Sequence, residues 1–230
     1  MLLLQFEQSE RTYSVVNDTM AKADITNKGK ARAWQRMLSG RRLDLLDPSP
    51  LDVEITDIAH GLARVARWNG QTYGDHAYSV AQHSLLVEAI FNRILPNATH
   101  EQQLMALLHD GSEFVLGDII SPFKAVMGGE YINIEERIQN AIHIRFSLPT
   151  IVEEKIRKAI KHADQISAYH EAIFLAGFSI EEANHYFYCT KKIRIDEATL
   201  HPEPTASVEQ LFIERFAALE KARYREKIEG

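Results

Sequence analysis

From His83 onward, apolar residues recur every three to four positions: Leu86, Val87, Ile90 and Ile94 share one helical face, and Pro96-Asn97 closes the segment. Thr99 followed by Gln102 has the form of a capping box, and the helix it opens carries Leu104, Met105, Leu107 and Leu108 straight into His109-Asp110. A third helix is predicted from Pro149 to Ala176, with Ile156, Ile160 and Ala163 inward and Gly177 as its stop. Ser207 with Gln210 marks another helix start, followed by Leu211, Phe212, Phe216 and Leu219. Alternating polarity is confined to a short extended piece at Asp52 to Ile55 or Lys192 to Ile195. The pattern predicts an all-α, single-domain helical bundle.

Composition narrows the function classes. A chain of 230 residues that is 45% hydrophobic can bury a core without disulfides or structural zinc. Its single cysteine, Cys189, excludes an internal disulfide and a Cys-x-x-Cys redox centre. No stretch approaches the roughly 18 to 20 apolar residues of a membrane helix, and Met1–Leu4 is too short for a signal-peptide core, so a cytoplasmic protein with no membrane partner is expected. A net charge of -6 argues against a broad nucleic-acid-binding face but allows a local basic pocket for a small anion. The basic residues Lys22, Lys28, Lys30, Arg32, Arg36, Arg41 and Arg42 set the start of the chain apart. Residues 1–45 are therefore read as a basic N-terminal arm or peripheral helix, and 46–230 as the main domain.

The chemistry lies in residues whose polarity conflicts with their place in the pattern. His83 sits on the stripe of Leu86 and Ile90, and Asp164 on that of Ile160 and Ala168. His109 and Asp110 are adjacent, about 100° apart on a helix, so both reach one ion only near a helix end, where they lie. Burying a carboxylate without a partner costs several kcal/mol in practice. One divalent cation held by His83, His109, Asp110 and Asp164 would compensate both acidic groups; a hydrogen-bonded core histidine at 83 and an Asp164–arginine pair are the plainer alternatives.

In this order, H…HD…D, the residues resemble the HD-domain metal-dependent phosphohydrolases. The segments Gln82-His83-Ser84-Leu85-Leu86-Val87, His109-Asp110-Gly111-Ser112-Glu113 through Asp118 to Lys124, and Lys161-His162-Ala163-Asp164 are similar to motifs of the 5′-deoxynucleotidase branch, over about Arg67 to Ala176. The resemblance implies an HD-type bundle, one divalent ion on the four ligands and a possible homodimer; a donor set of two histidines and two carboxylates suits Mn, Co, Fe, Zn or Mg. It also implies that Glu113 and Asp118 manage the protons of phosphate-ester hydrolysis, with Glu113 on the side of His109 if the helix continues past Asp110. Arg67 and Trp68 match an Arg-Trp pair of that branch: the arginine fork suits phosphate, and the indole either walls the sugar or base or packs in the core. Lys124 adds positive charge or sits on the surface, and Arg64 competes with Arg67 for the phosphate.

The expected reaction is hydrolysis of a small nucleotide, a deoxynucleoside 5′-monophosphate giving nucleoside and phosphate. The same frame also suits nucleoside triphosphates and cyclic or hyperphosphorylated nucleotides. A non-catalytic metal- or nucleotide-binding module would not need Glu113 and Asp118, and a di-iron oxidase would need further histidines beside the HD pair, which Gly111 to Leu116 does not supply.

Overall fold

The computed structural model describes residues 33–120, 123, 124, 126, 129–187 and 193–229. Along the chain run β1 (Trp34–Arg36), β2 (Arg42–Asp44), α1 (Ile55–Leu62), α2 (Val80–Ile94), α3 (His100–Leu107), α4 (Glu113–Leu116), α5 (Gly129–Arg145), α6 (Glu154–Phe174), α7 (Ile180–Tyr186) and α8 (Thr205–Glu229). Helices carry the fold, so the all-α class read from the periodicity holds. Among the described residues no helix is long and apolar enough to cross a membrane.

The predicted stripe on α2 is narrower than the buried surface the helix presents. Val80, Ala81, Ser84, Leu86, Val87, Ile90 and Phe91 are all buried, because α2 packs against α6, α3 and α8 at once. The Ser79 hydroxyl accepts from the Gln82 amide and starts the helix three residues before His83. The Thr99–Gln102 capping box forms as predicted. The third helix begins at Glu154 rather than Pro149. It ends where Gly177, at φ 75°, lets the Phe178 amide reach back to the Ala172 carbonyl. On α8 the inward row is Val208, Phe212, Phe216 and Leu219, while Leu211, expected inward, is half exposed because its neighbour Phe212 takes the core position.

The extended pieces lie elsewhere than expected. Asp52 closes a single helical turn, Pro50–Asp52, Ile55 opens α1, and residues 193–196 pair with no strand. Lys192 falls outside the described residues. The strands instead form the β1–β2 antiparallel hairpin, turned at Gly40 with φ 88° and tied to α1 where Asp57 accepts from the Ser39 amide at 3.0 Å and hydroxyl at 2.5 Å. Leu43 of this hairpin is fully buried in the helical core. Residues 1–32 of the expected arm lie outside the described residues.

Two contacts fix the helices that flank the site. Gly61 brings α1 against α4 so closely that a Cβ there would stand 2.5 Å from the Phe114 carbonyl oxygen. On α2, the buried Glu88 is gripped by Arg215 of α8, with Nε to Oε2 at 2.9 Å and Nη2 to Oε1 at 2.6 Å.

Candidate functional site

His83 from α2, His109 and Asp110 from the turn after α3, and Asp164 from α6 converge. The His83 Nε2 lies 3.5 Å from Asp110 Oδ2 and 3.4 Å from Asp164 Oδ1, and the His109 Nε2 lies 3.2 Å from Asp110 Oδ2. Ligand atoms of His83, His109 and Asp164 fall within 4.8 Å of one another. Among the described residues no arginine pairs with Asp164; its second oxygen meets the exposed Lys161 at 2.7 Å.

The donor set fits a divalent cation. Both Nε2 atoms are buried and make no hydrogen bond among the described residues, while each Nδ1 is engaged: His83 donates to Glu171 Oε1 at 2.6 Å and His109 to the Ala106 carbonyl at 3.0 Å. Those bonds place the ring protons on Nδ1 and aim both Nε2 lone pairs at the two carboxylates, as metal-binding imidazoles require. Burial and Arg67 oppose a charge on His83, yet Glu171, Asp110 and Asp164 hold its pKa well above the usual histidine range. Asp110 and Asp164 thus favour positive charge at His83 Nε2, a proton or a cation in its place. Burial also works against ionised Asp164, but His83 holds its carboxyl below the ordinary range.

Arg67 and Trp68 enter from the turn that precedes α2. Trp68 and Asn69 take left-handed backbone angles, φ 56° and 52°, followed by Gly70 at φ 72°. This conformation costs an ordinary residue about 1–2 kcal/mol. It turns the indole inward, where Nε1 donates to Glu171 Oε2 at 2.9 Å and the ring packs on Phe178 and Phe187. Arg67 donates from Nε and Nη2 to the same Glu171 oxygen, at 3.3 and 3.2 Å, and from Nη1 to Asp118 at 3.3 Å. Burial would lower its pKa, but Glu171 and Asp118 raise it, so the guanidinium stays charged. Sequence reasoning missed Glu171 and Ser167. Their signal was present: at i+7 and i+3 from Asp164 they continue its inward row on α6.

The helix does not continue past Asp110. The chain tightens through Gly111 and Ser112, with Gly111 N–H to Leu108 O at 2.9 Å and Glu113 N–H to Asp110 O at 3.0 Å, and α4 then begins at Glu113. Gln139 of α5, also unmarked by the sequence reading, clamps this turn by donating to the Leu108 carbonyl at 2.7 Å and accepting from the Ser112 amide at 3.1 Å. Glu113 is buried at 3% exposure, and its Oε1 meets Lys124 Nζ at 3.3 Å. Lys124 also binds Glu135 of α5 at 2.8 Å. Burial pushes the Asp118 carboxyl upward, with Asp110 adding to the shift against Arg67.

Burial, Asp110 and Asp118 together push the Glu113 carboxyl up to about 8. A carboxyl whose pKa is raised on folding favours the native state below its unfolded pKa and loses that advantage as pH rises through the folded value. In ion-free protein, Glu113→Gln, which mimics the protonated form, should therefore match wild type near about pH 5 and exceed its stability by about 2 kcal/mol or more near about pH 8. Urea midpoints of both proteins at the two pH values check this; a difference independent of pH would place the titration on another group.

Arg64, the competitor for the phosphate role, turns away: it binds Glu209 of α8 at 2.6 Å and the His60 carbonyl at 2.9 Å. His60 also faces Glu209, His76 is exposed, and His100 binds Glu226.

A family model described as 5′-deoxynucleotidase YfbR-like matches residues 58–218, which spans all of the clustered residues. An uncharacterized protein of Rhodobacter capsulatus is 52% identical over 188 residues, covering 82% of this chain and 96% of that protein. The chain belongs to the YfbR-like 5′-deoxynucleotidase family, within the HD-domain superfamily, and membership implies a hydrolase acting on nucleotides.

Proposed function

We propose that the protein is a metal-dependent phosphohydrolase that converts a deoxynucleoside 5′-monophosphate to nucleoside and phosphate. The observation that carries this reading is the pair of buried imidazole Nε2 atoms facing Asp110 and Asp164, connected through Glu171 to a buried, charged Arg67. His83, His109, Asp110 and Asp164 hold the ion. When bound, it acts as a Lewis acid toward the phosphate and lowers the pKa of water. The residues leave Mn, Co, Fe, Zn and Mg all chemically suitable.

Arg67 meets the phosphate oxygens with its planar fork and orients the phosphorus for in-line attack. Trp68, fixed by its bond to Glu171, walls the sugar or base. Glu113 and Asp118 divide the proton work: one takes a proton from the attacking water as its oxygen bonds to phosphorus, and the other delivers a proton to the ester oxygen as the P–O bond breaks. Lys124, held beside Glu113, adds positive charge on the phosphate side.

Protein reconstituted separately with each of the five ions is assayed for orthophosphate release from a panel of deoxy- and ribonucleoside mono-, tri- and cyclic phosphates, beside Asp110→Ala. Ion-dependent orthophosphate from deoxynucleoside monophosphates, lost in Asp110→Ala, is the expected result. Triphosphate release from deoxynucleoside triphosphates would move the reading to that substrate, and no turnover with any ion would favour a binding module.

A further inference from the structure

The two halves of the proposed site meet at one side chain. Glu171 is fully buried, and its two oxygens serve different partners. Oε1 accepts from His83 Nδ1 at 2.6 Å and from the Ser167 hydroxyl at 2.7 Å, whereas Oε2 accepts from Trp68 Nε1 at 2.9 Å and from Arg67 Nη2 and Nε at 3.2 and 3.3 Å. We infer that Glu171 is a positioning residue of this site: the Arg67–Trp68 turn fixes its carboxylate, and the fixed carboxylate sets the tautomer of His83.

The argument is one of donor and acceptor counting. Three N–H groups converge on Oε2, so that oxygen must be an acceptor. The carboxylate then offers a second acceptor to His83, which answers with its Nδ1 proton and keeps the Nε2 lone pair for a cation. An ion pair serving only the fold would need Arg67 alone; the bond to His83 lies on the other oxygen and is supported there by Ser167.

Glutamine separates the two roles. In Glu171→Gln the three donors claim the amide oxygen, so the amide NH2 faces His83 Nδ1. Two donors cannot face each other there, and His83 moves its proton to Nε2, where it opposes an ion. This inference rests on the reading given under Proposed function, and its test uses the full chain stripped of metal.

Zinc affinity is measured by competition with a chromophoric chelator in wild type, Glu171→Gln and Ser167→Ala. The His83 tautomer in ion-free Glu171→Gln is read by long-range 1H–15N NMR above neutral pH. Expected are an affinity about 10- to 100-fold weaker in Glu171→Gln, loss of the proton from His83 Nδ1 in that variant, and a loss of a few-fold in Ser167→Ala. Affinity within about twofold of wild type in a folded Glu171→Gln, or a proton retained on Nδ1, overturns the inference. If Glu171→Gln does not fold, Ser167→Ala decides: wild-type affinity there overturns it. Zinc binding by wild type with no change in the variants removes only this inference, whereas a wild type that takes up no ion removes the proposed function with it.

Discussion

Asp164→Asn should lower turnover by about 10³-fold or more, equivalent to about 4 kcal/mol of lost transition-state stabilisation. The substitution keeps the shape of the side chain and removes its charge. In wild type, Asp164 and Asp110 approach the His83 Nε2 to 3.4 and 3.5 Å from two different elements. Together they supply the two negative charges that a divalent ion requires on leaving water. With one charge removed, ion affinity falls before any catalytic geometry is altered. A second readout follows from linkage: an ion at 100 times its Kd raises native stability by about 2.7 kcal/mol. Wild type should therefore melt higher when a divalent ion is added, and Asp164→Asn should not. Turnover at an ion concentration that just saturates wild type and melting curves with and without the ion check both parts, and a variant that keeps the ion-induced shift would remove Asp164 from the ligand set.

The quartet was legible in the sequence because all four of its members contradict their apolar surroundings. An imidazole at 83 and a carboxylate at 164 occupy inward rows of amphipathic helices, and an HD pair closes an apolar segment. Helical period and capping chemistry also placed α2, α3, α6 and α8 to within a few residues. What periodicity could not supply was the partner of each polar group. Glu171 lies 88 positions from His83 and 104 from Arg67, and nothing local to either indicates that all three meet. Gln139 acts on backbone groups of another segment, so no residue type at a matching spacing announces it. The strands were misplaced for a related reason: a three-residue hairpin gives too few alternations to outweigh the helical pattern elsewhere, and its position is fixed by the contact of Ser39 with Asp57.

The second large effect concerns stability. Arg215→Met should destabilise the protein by about 3 kcal/mol, the lower end of the range for breaking a buried ion pair. Glu88 is 3% exposed on the most enclosed helix of the fold, and apart from the Asn92 amide its oxygens depend on the Arg215 fork. Without the arginine a carboxylate stays buried and unpaired. Because the Arg215 side chain is 36% exposed, water can reach part of the gap, which sets the lower figure. Glu88→Leu combined with Arg215→Met removes both charges and should lie within about 1 kcal/mol of wild type, since apolar pairs replace buried ion pairs at little cost. Urea denaturation of wild type, both single variants and the double variant closes the cycle. A double variant as unstable as Arg215→Met would show that shape, not charge, joins α2 to α8.

The contact of Gly61 with the Phe114 carbonyl bears on how far α1 and α4 can move apart. Where two helices touch through side chains, a shift of an ångström can be absorbed by rotamer changes; where backbone meets backbone, no compliant layer intervenes. The mounting of Glu113 is therefore as rigid as α1, which is itself seated on α8. Parting α1 from α4 would move the backbone that carries Glu113, and with it the proton-handling carboxyl, so that seam should resist substitutions that side-chain contacts tolerate.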